Sequence, residues 1–88
     1  MSLNVYRDEA GEFLNIIASH DSETTSKILE MIDKEYALLK DSIDLPDTVG
    51  HQIYDILFLL FELASKYNID LNTEWIKGRK KKLKYIKK

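Results

Sequence analysis

Apolar positions along this chain recur at spacings of three and four, the period of amphipathic helices rather than of strands. Leu3, Tyr6, Ala10, Phe13 and Ile17 form the first such stripe and predict a helix over residues 4–18. Gly11 weakens it by about 1 kcal/mol relative to alanine. Ser19-His20-Asp21-Ser22 reads as a break, and Asp21 or Ser22 can cap the next helix. Ile28, Ile32, Tyr36 and Leu39 predict a second helix over 22–40, with Glu30 and Asp33 at the border of its stripe. Residues 41–50 read as the one long loop, because Pro46 stops a continuing helix. Asp47 or Thr48 then caps a third helix over 48–67. Val49, Ile53, Ile56, Leu57, Leu60, Phe61, Leu63 and Ala64 cover more than half of its circumference. The remaining arc carries His51, Gln52, Asp55, Glu62, Ser65 and Lys66, interrupted by Leu59. So apolar a helix is expected at the centre of the fold or in a subunit interface. After a turn at 68–72, capped by Asp70 or Asn72, a fourth helix runs over 72–86 with Leu71, Trp75, Leu83 and Ile86 as its anchors.

The expectation is therefore an all-α chain of four helices, the second and third antiparallel at its centre. Its 88 residues make one domain with a limited core, so assembly into a dimer or higher oligomer is the expected route to further burial. The absence of cysteine excludes disulfides and thiolate metal sites. The longest unbroken apolar run, 56–61, is far short of a membrane span. With no secretory pattern at the N-terminus, the expectation is a cytoplasmic protein with no membrane partner.

Charge changes the picture more than composition does. Residues 1–76 hold all fifteen acidic residues and five basic ones, a net −10; residues 77–88 hold eight basic residues and no acid, a net +8. A tail of this kind meets an anion, whether phosphate, nucleic acid or the acidic body of a neighbouring subunit.

Two carboxylate spacings could carry chemistry. Glu30-Met31-Ile32-Asp33 and Gln52-Ile53-Tyr54-Asp55 each place oxygen donors three apart, on one face of a helix. On neighbouring antiparallel helices, two such pairs can converge on a hard cation such as Mg²⁺, which also takes water and substrate phosphate. The plain alternative is a solvated face, since Asp55 shares its arc with His51, Glu62 and Lys66. His51 lies one turn before Asp55 and can pair with it. His20 has no such neighbour, and a zinc site is not expected.

The stretch from Gln52 to Ala64, followed by Asn68-Ile69-Asp70-Leu71, resembles the MazG family of nucleotide pyrophosphohydrolases. In that family an Asp opens an apolar helix, a short turn ends in Ile-Asp-Leu, and a lysine-rich helix follows that often closes on a basic-Tyr pair, as Lys84-Tyr85 does here. Glu30-x-x-Asp33 is similar to the family's Glu-x-x-Glu, and Gln52-x-x-Asp55 to its Glu-x-x-Asp. The resemblance spans about 28–85 and is most specific over 55–71. It implies a four-helix MazG-like bundle, assembled as a homodimer or homotetramer. It also implies a Mg²⁺-dependent hydrolase that cleaves a nucleoside triphosphate to a monophosphate and pyrophosphate. Glu30, Asp33 and Asp55 would be catalytic metal ligands, with Gln52 a weaker fourth. Lys77, Arg79, Lys80, Lys81 and Lys82 would neutralise phosphate.

The chain departs from the family in two places. Asp33 shortens an arm but keeps its charge, whereas Gln52 removes a charge from the site. Two alternatives therefore stand beside the enzyme: a catalytically degenerate MazG-fold module that binds nucleotides or partners, and a small helical adaptor that binds nucleic acid through its tail. The acidic body argues against a broad nucleic-acid footprint. Trp75 and the tyrosines could stack on a base, although core or interface anchoring is the commoner use of such residues.

Overall fold

The computed structural model describes residues 2–17 and 22–86, leaving the side chains of Ile17, Ser22 and Glu23 aside. The expected break at 19–21 and the last two lysines lie outside the described residues. Four helices follow one another: α1 (Leu3–Ile17), α2 (Ser22–Asp41), α3 (Pro46–Lys66) and α4 (Leu71–Ile86). No strand occurs among the described residues.

The loop between α2 and α3 is shorter than expected. Only 42–45 are non-helical, and α3 begins at Pro46 rather than at residue 48. Proline suits the first helical position because the N–H it lacks would have no partner there. Leu45, not Asp47 or Thr48, is the N-cap, and it makes no side-chain capping bond. Its carbonyl instead accepts from the Thr48 and Val49 amides, both at 3.0 Å.

α2 and α3 form an antiparallel hairpin. Their connection is short, and at the far end Thr25 Oγ1 lies 2.8 Å from the Tyr67 hydroxyl. α1 packs against another side of α3, so α3 alone is the central element. One residue from each of α1, α2 and α3 meets in the core, Leu14, Ile28 and Leu59, with Ile32 and Leu63 against them. In α1 the buried line is Ala10, Gly11 and Leu14, so the stripe is rotated from the one expected; Tyr6 and Phe13 stand at its exposed margin. They reach α3 through their rings, Tyr6 tilted at 5.9 Å from Phe61 and Phe13 edge-on at 5.4 Å from Phe58 between ring centroids. At Gly11, α1 lies against Ser65 of α3. A Cβ there would stand 2.9 Å from Ser65 Cβ, so the residue that weakens the helix permits the packing.

α3 ends in a Schellman arrangement. Asn68 takes the left-handed conformation at φ 52°, the Asn68 amide donates to Ser65 O, and the Ile69 amide donates to Ala64 O. Asp70 then caps α4, accepting from the Thr73 amide at 3.1 Å and from the Thr73 hydroxyl at 2.9 Å. The start of α4 and the start of α1 cap each other. Asn4 Oδ1 accepts from the Leu71 amide at 2.9 Å, and Asn72 Oδ1 accepts from the Leu3 amide at 2.8 Å. Arg7 fastens the same corner by donating to Ile69 O at 2.8 Å.

Beyond this corner α4 is an arm. Every described residue from Thr73 onward is exposed. Trp75, Leu83 and Ile86 are therefore not the anchors expected; Leu71 alone of that set is half-buried. The reason is that α4 packs on α1, and only through its first turns.

The single chain is also open. Its radius of gyration is 15.0 Å, against about 12 Å for a compact domain of this length. Only Ala10, Leu14, Ile28, Leu59 and Ala64 are buried apolar residues among those described. α3 accounts for much of the difference. The arc read as its polar edge is turned inward, burying Gln52, Leu59 and Glu62. Part of its apolar arc faces out instead, with Ile53, Leu57 and Leu60 each 46% exposed.

Candidate functional site: the cleft between α2 and α3

The inward turn of the polar arc builds the site. Ile28 on α2 packs at the level of Leu59 on α3. Two helical turns closer to the α2–α3 connection, the antiparallel register brings Glu35 level with Gln52. Oε2 of Glu35 and Oε1 of Gln52 are both buried and have no hydrogen-bond partner among the described residues. Both atoms are acceptors, and a buried acceptor is normally paired, with protein, water or an ion.

Glu35 lines a cleft of about 790 Å³ bounded by α1, α2 and α3, and Gln52 lies beside it. Glu35, Asp55, Glu62 and Lys27 are its charged lining, and Phe13, Met31, Tyr54 and Phe58 form an aromatic and apolar wall. Tyr54 and Phe58 stand one turn apart with ring centroids at 6.0 Å. Burial pushes the Glu62 carboxyl above its ordinary pKa, because the charged form loses hydration there. His51 Nε2, one turn earlier, lies 3.2 Å from Asp55 Oδ2, so the expected pairing of these two residues is present. Asp55 is half-buried and His51 exposed.

The other expected site residues fall differently. Gln52 is buried at the α2–α3 contact, beside the cleft that Asp55 lines. Glu30 and Asp33 are exposed on the outer side of α2 and do not line the cleft. Among the described residues, no three His, Asp or Glu side chains come together in a group able to hold a metal ion. Lys77, Arg79, Lys80, Lys81 and Lys82 lie exposed along α4, away from the cleft lining.

No family model, curated protein or solved structure matches this chain.

Glu35 is the residue that sequence reasoning passed over. The signal was there: Ile28, Ile32, Glu35 and Leu39 run at spacings of four, three and four. The apolar Tyr36 occupies that place in the stripe the sequence predicts. A carboxylate within an apolar period is costly unless something answers it, which marks such a position as a candidate site. Among the described residues no helix is long and apolar enough to cross a membrane.

Proposed function

We propose that this chain is a MazG-like nucleoside triphosphate pyrophosphohydrolase whose site is the α2–α3 cleft. The observation that carries this reading is the pair of buried, unpartnered acceptors on Glu35 and Gln52, next to Asp55. Oxygen donors of this kind suit Mg²⁺, which keeps part of its shell for water and phosphate. Glu35 and Asp55 would hold the ion, with the Gln52 amide oxygen as a neutral third donor. Glu30 and Asp33, on the outer side of α2, would take part only through a rearrangement of that helix. A bound Mg²⁺ would supply Lewis acidity at the phosphoryl oxygens. Phe13, Tyr54 and Phe58 offer faces on which a base can stack. Hydrolysis adds water at the α-phosphorus and breaks its bond to the bridging oxygen, releasing pyrophosphate and leaving a monophosphate.

The exposed line Ile53, Leu57 and Leu60 on α3 supports a homodimer, because an apolar stripe of this kind on a small chain usually marks an interface. Lys77, Arg79 and Lys80–82 would neutralise the triphosphate.

A second reading, nucleotide binding without turnover, is favoured by Gln52. Its neutral amide stands where the resembling family has a carboxylate, and a neutral oxygen binds Mg²⁺ less tightly. A pyrophosphate-release screen over ribo- and deoxynucleoside triphosphates, with and without Mg²⁺, tests both readings. Mg²⁺-dependent release that is lost in Asp55→Asn supports the enzyme. Nucleotide binding without release supports the second reading, and neither binding nor release defeats both.

A further inference from the structure

Glu62 has no part in the metal and phosphate roles assigned to the cleft. It is 4% exposed, yet it lines that cleft. No hydrogen bond or ion pair from another described residue reaches it. Burial is the sole cause of its shifted pKa, and Lys27, on the same cleft lining, does not pair with it. A buried carboxylate without a partner is costly, so a ligand that brings hydrogen-bond donors to it is strongly favoured.

The place of Glu62 along α3 narrows the choice of ligand. Phe58 and Glu62 follow Asp55 by three and seven residues, so the three share one face of the helix. The rise from Asp55 to Glu62 is about 10 Å, and Gln52, level with Glu35, lies one turn further from Glu62. The cleft therefore has two acidic ends. Asp55 and Glu35 mark the end where the ion and the phosphates are placed above; Glu62 marks the other. Between them stands Phe58, with the Phe13 ring edge-on to it at 5.4 Å. Phe13 is 48% exposed, which leaves ring surface for a ligand. An extended nucleotide fits this order, with phosphates at Asp55, the base on the rings and the pairing edge of the base at Glu62.

We infer that Glu62 reads the base, and that the base is guanine. A carboxylate offers acceptors side by side and no donor. Guanine is the one common base with two adjacent donors on its pairing edge, N1–H and the 2-amino group. Adenine and cytosine set a ring-nitrogen acceptor beside their amino group, and uracil and thymine flank N3–H with carbonyls. Each of these would press a lone pair against a carboxylate oxygen. Two parallel hydrogen bonds to a charged acceptor fix the plane of the base as well as its identity, while the rings stack on its face. The inference names guanine nucleotides as the substrate class of the function proposed above, and it rests on that reading for the position of the phosphates.

GMP and IMP test it, because they differ only in the 2-amino group and, in chelator, need neither metal nor turnover. Amide chemical shifts of the full chain, followed through titrations with each, read even weak binding. GMP should bind about tenfold or more tightly than IMP, the worth of one hydrogen bond to a charged group. Glu62→Gln keeps the shape and replaces one acceptor by a donor, so the preference should vanish. Phe58→Leu should weaken both ligands alike and leave their ratio unchanged, because it removes stacking and not the edge contact. The inference is overturned if GMP does not bind, if IMP binds equally well, or if Glu62→Gln keeps the preference. GMP selectivity in a chain that releases no pyrophosphate from any triphosphate would defeat the hydrolase and leave this site standing. Release without preference for guanine would do the reverse.

Discussion

Replacing Gln52 by methionine should stabilise the metal-free chain. The side chain is 9% exposed, and its Oε1 is buried with no partner among the described residues. A buried unsatisfied acceptor costs about 1–3 kcal/mol. Methionine is unbranched, of similar length, and adapts to irregular space. A volume-conserving exchange of this kind costs under about 1.5 kcal/mol in packing. The expected net effect is a gain of about 1 kcal/mol, which for a domain of this size raises Tm by about 4–8 °C. Thermal unfolding followed by circular dichroism reads it, at fixed protein concentration because assembly would contribute to Tm. The same scan with Mg²⁺ should reverse the order of benefit. The wild type gains stability from an ion bound only by the native state, and the variant, having lost a donor, gains less. A variant destabilised by more than about 1 kcal/mol without metal would show that the amide oxygen is already satisfied in the native protein, and the argument for an ion there would collapse.

Gln52→Glu should have the opposite signature: tighter Mg²⁺ binding by titration calorimetry, and lower stability in chelator, because two carboxylates then face each other across the helices. Asp70 accepts from Asn4 and Thr73, and these hydrogen bonds hold its pKa at about 2 against an ordinary 3.8. A depressed folded pKa means its stabilising contribution is complete above about pH 4 and is lost as pH falls toward 2; amide exchange at Leu71 and Thr73 should quicken over that window, and in Asp70→Asn the acid-induced step should vanish. Gly11→Val should cost about 1–3 kcal/mol in denaturant unfolding, since the new Cβ would press on Ser65 Cβ at 2.9 Å, and Ser65→Gly in the same chain should recover most of that loss.

Much of the fold was legible because helix periodicity and punctuation agreed. The breaks at Pro46 and around Asn68 fall where the helices change, and Asp70, one of the two caps expected, does cap α4. What the pattern did not give was rotation. In α2, choosing Tyr36 over Glu35 for the inner stripe shifts the helix by about 100° and moves the carboxylate from the cleft to solvent. In α3, hydrophobicity left the Ile53–Leu57–Leu60 line either central or interfacial, and in the single chain that line is exposed while Gln52 and Glu62 are buried. A sequence records every surface that must be covered, including those a second copy covers, without saying by whom. Trp75 shows the same limit: an aromatic residue read as a core anchor stands exposed on an arm.

The account stands or falls on whether the Glu35–Gln52–Asp55 end of the cleft holds a divalent cation. Mn²⁺, which takes the same oxygen ligands as Mg²⁺, can be titrated into the protein and its bound fraction read by electron paramagnetic resonance. The prediction is saturable binding that Glu35→Gln and Asp55→Asn each weaken at least about tenfold (about 1.4 kcal/mol), and that Glu30→Gln with Asp33→Asn leaves unchanged. Absence of bound Mn²⁺, or binding that survives Glu35→Gln and disappears with Glu30→Gln and Asp33→Asn, would contradict it.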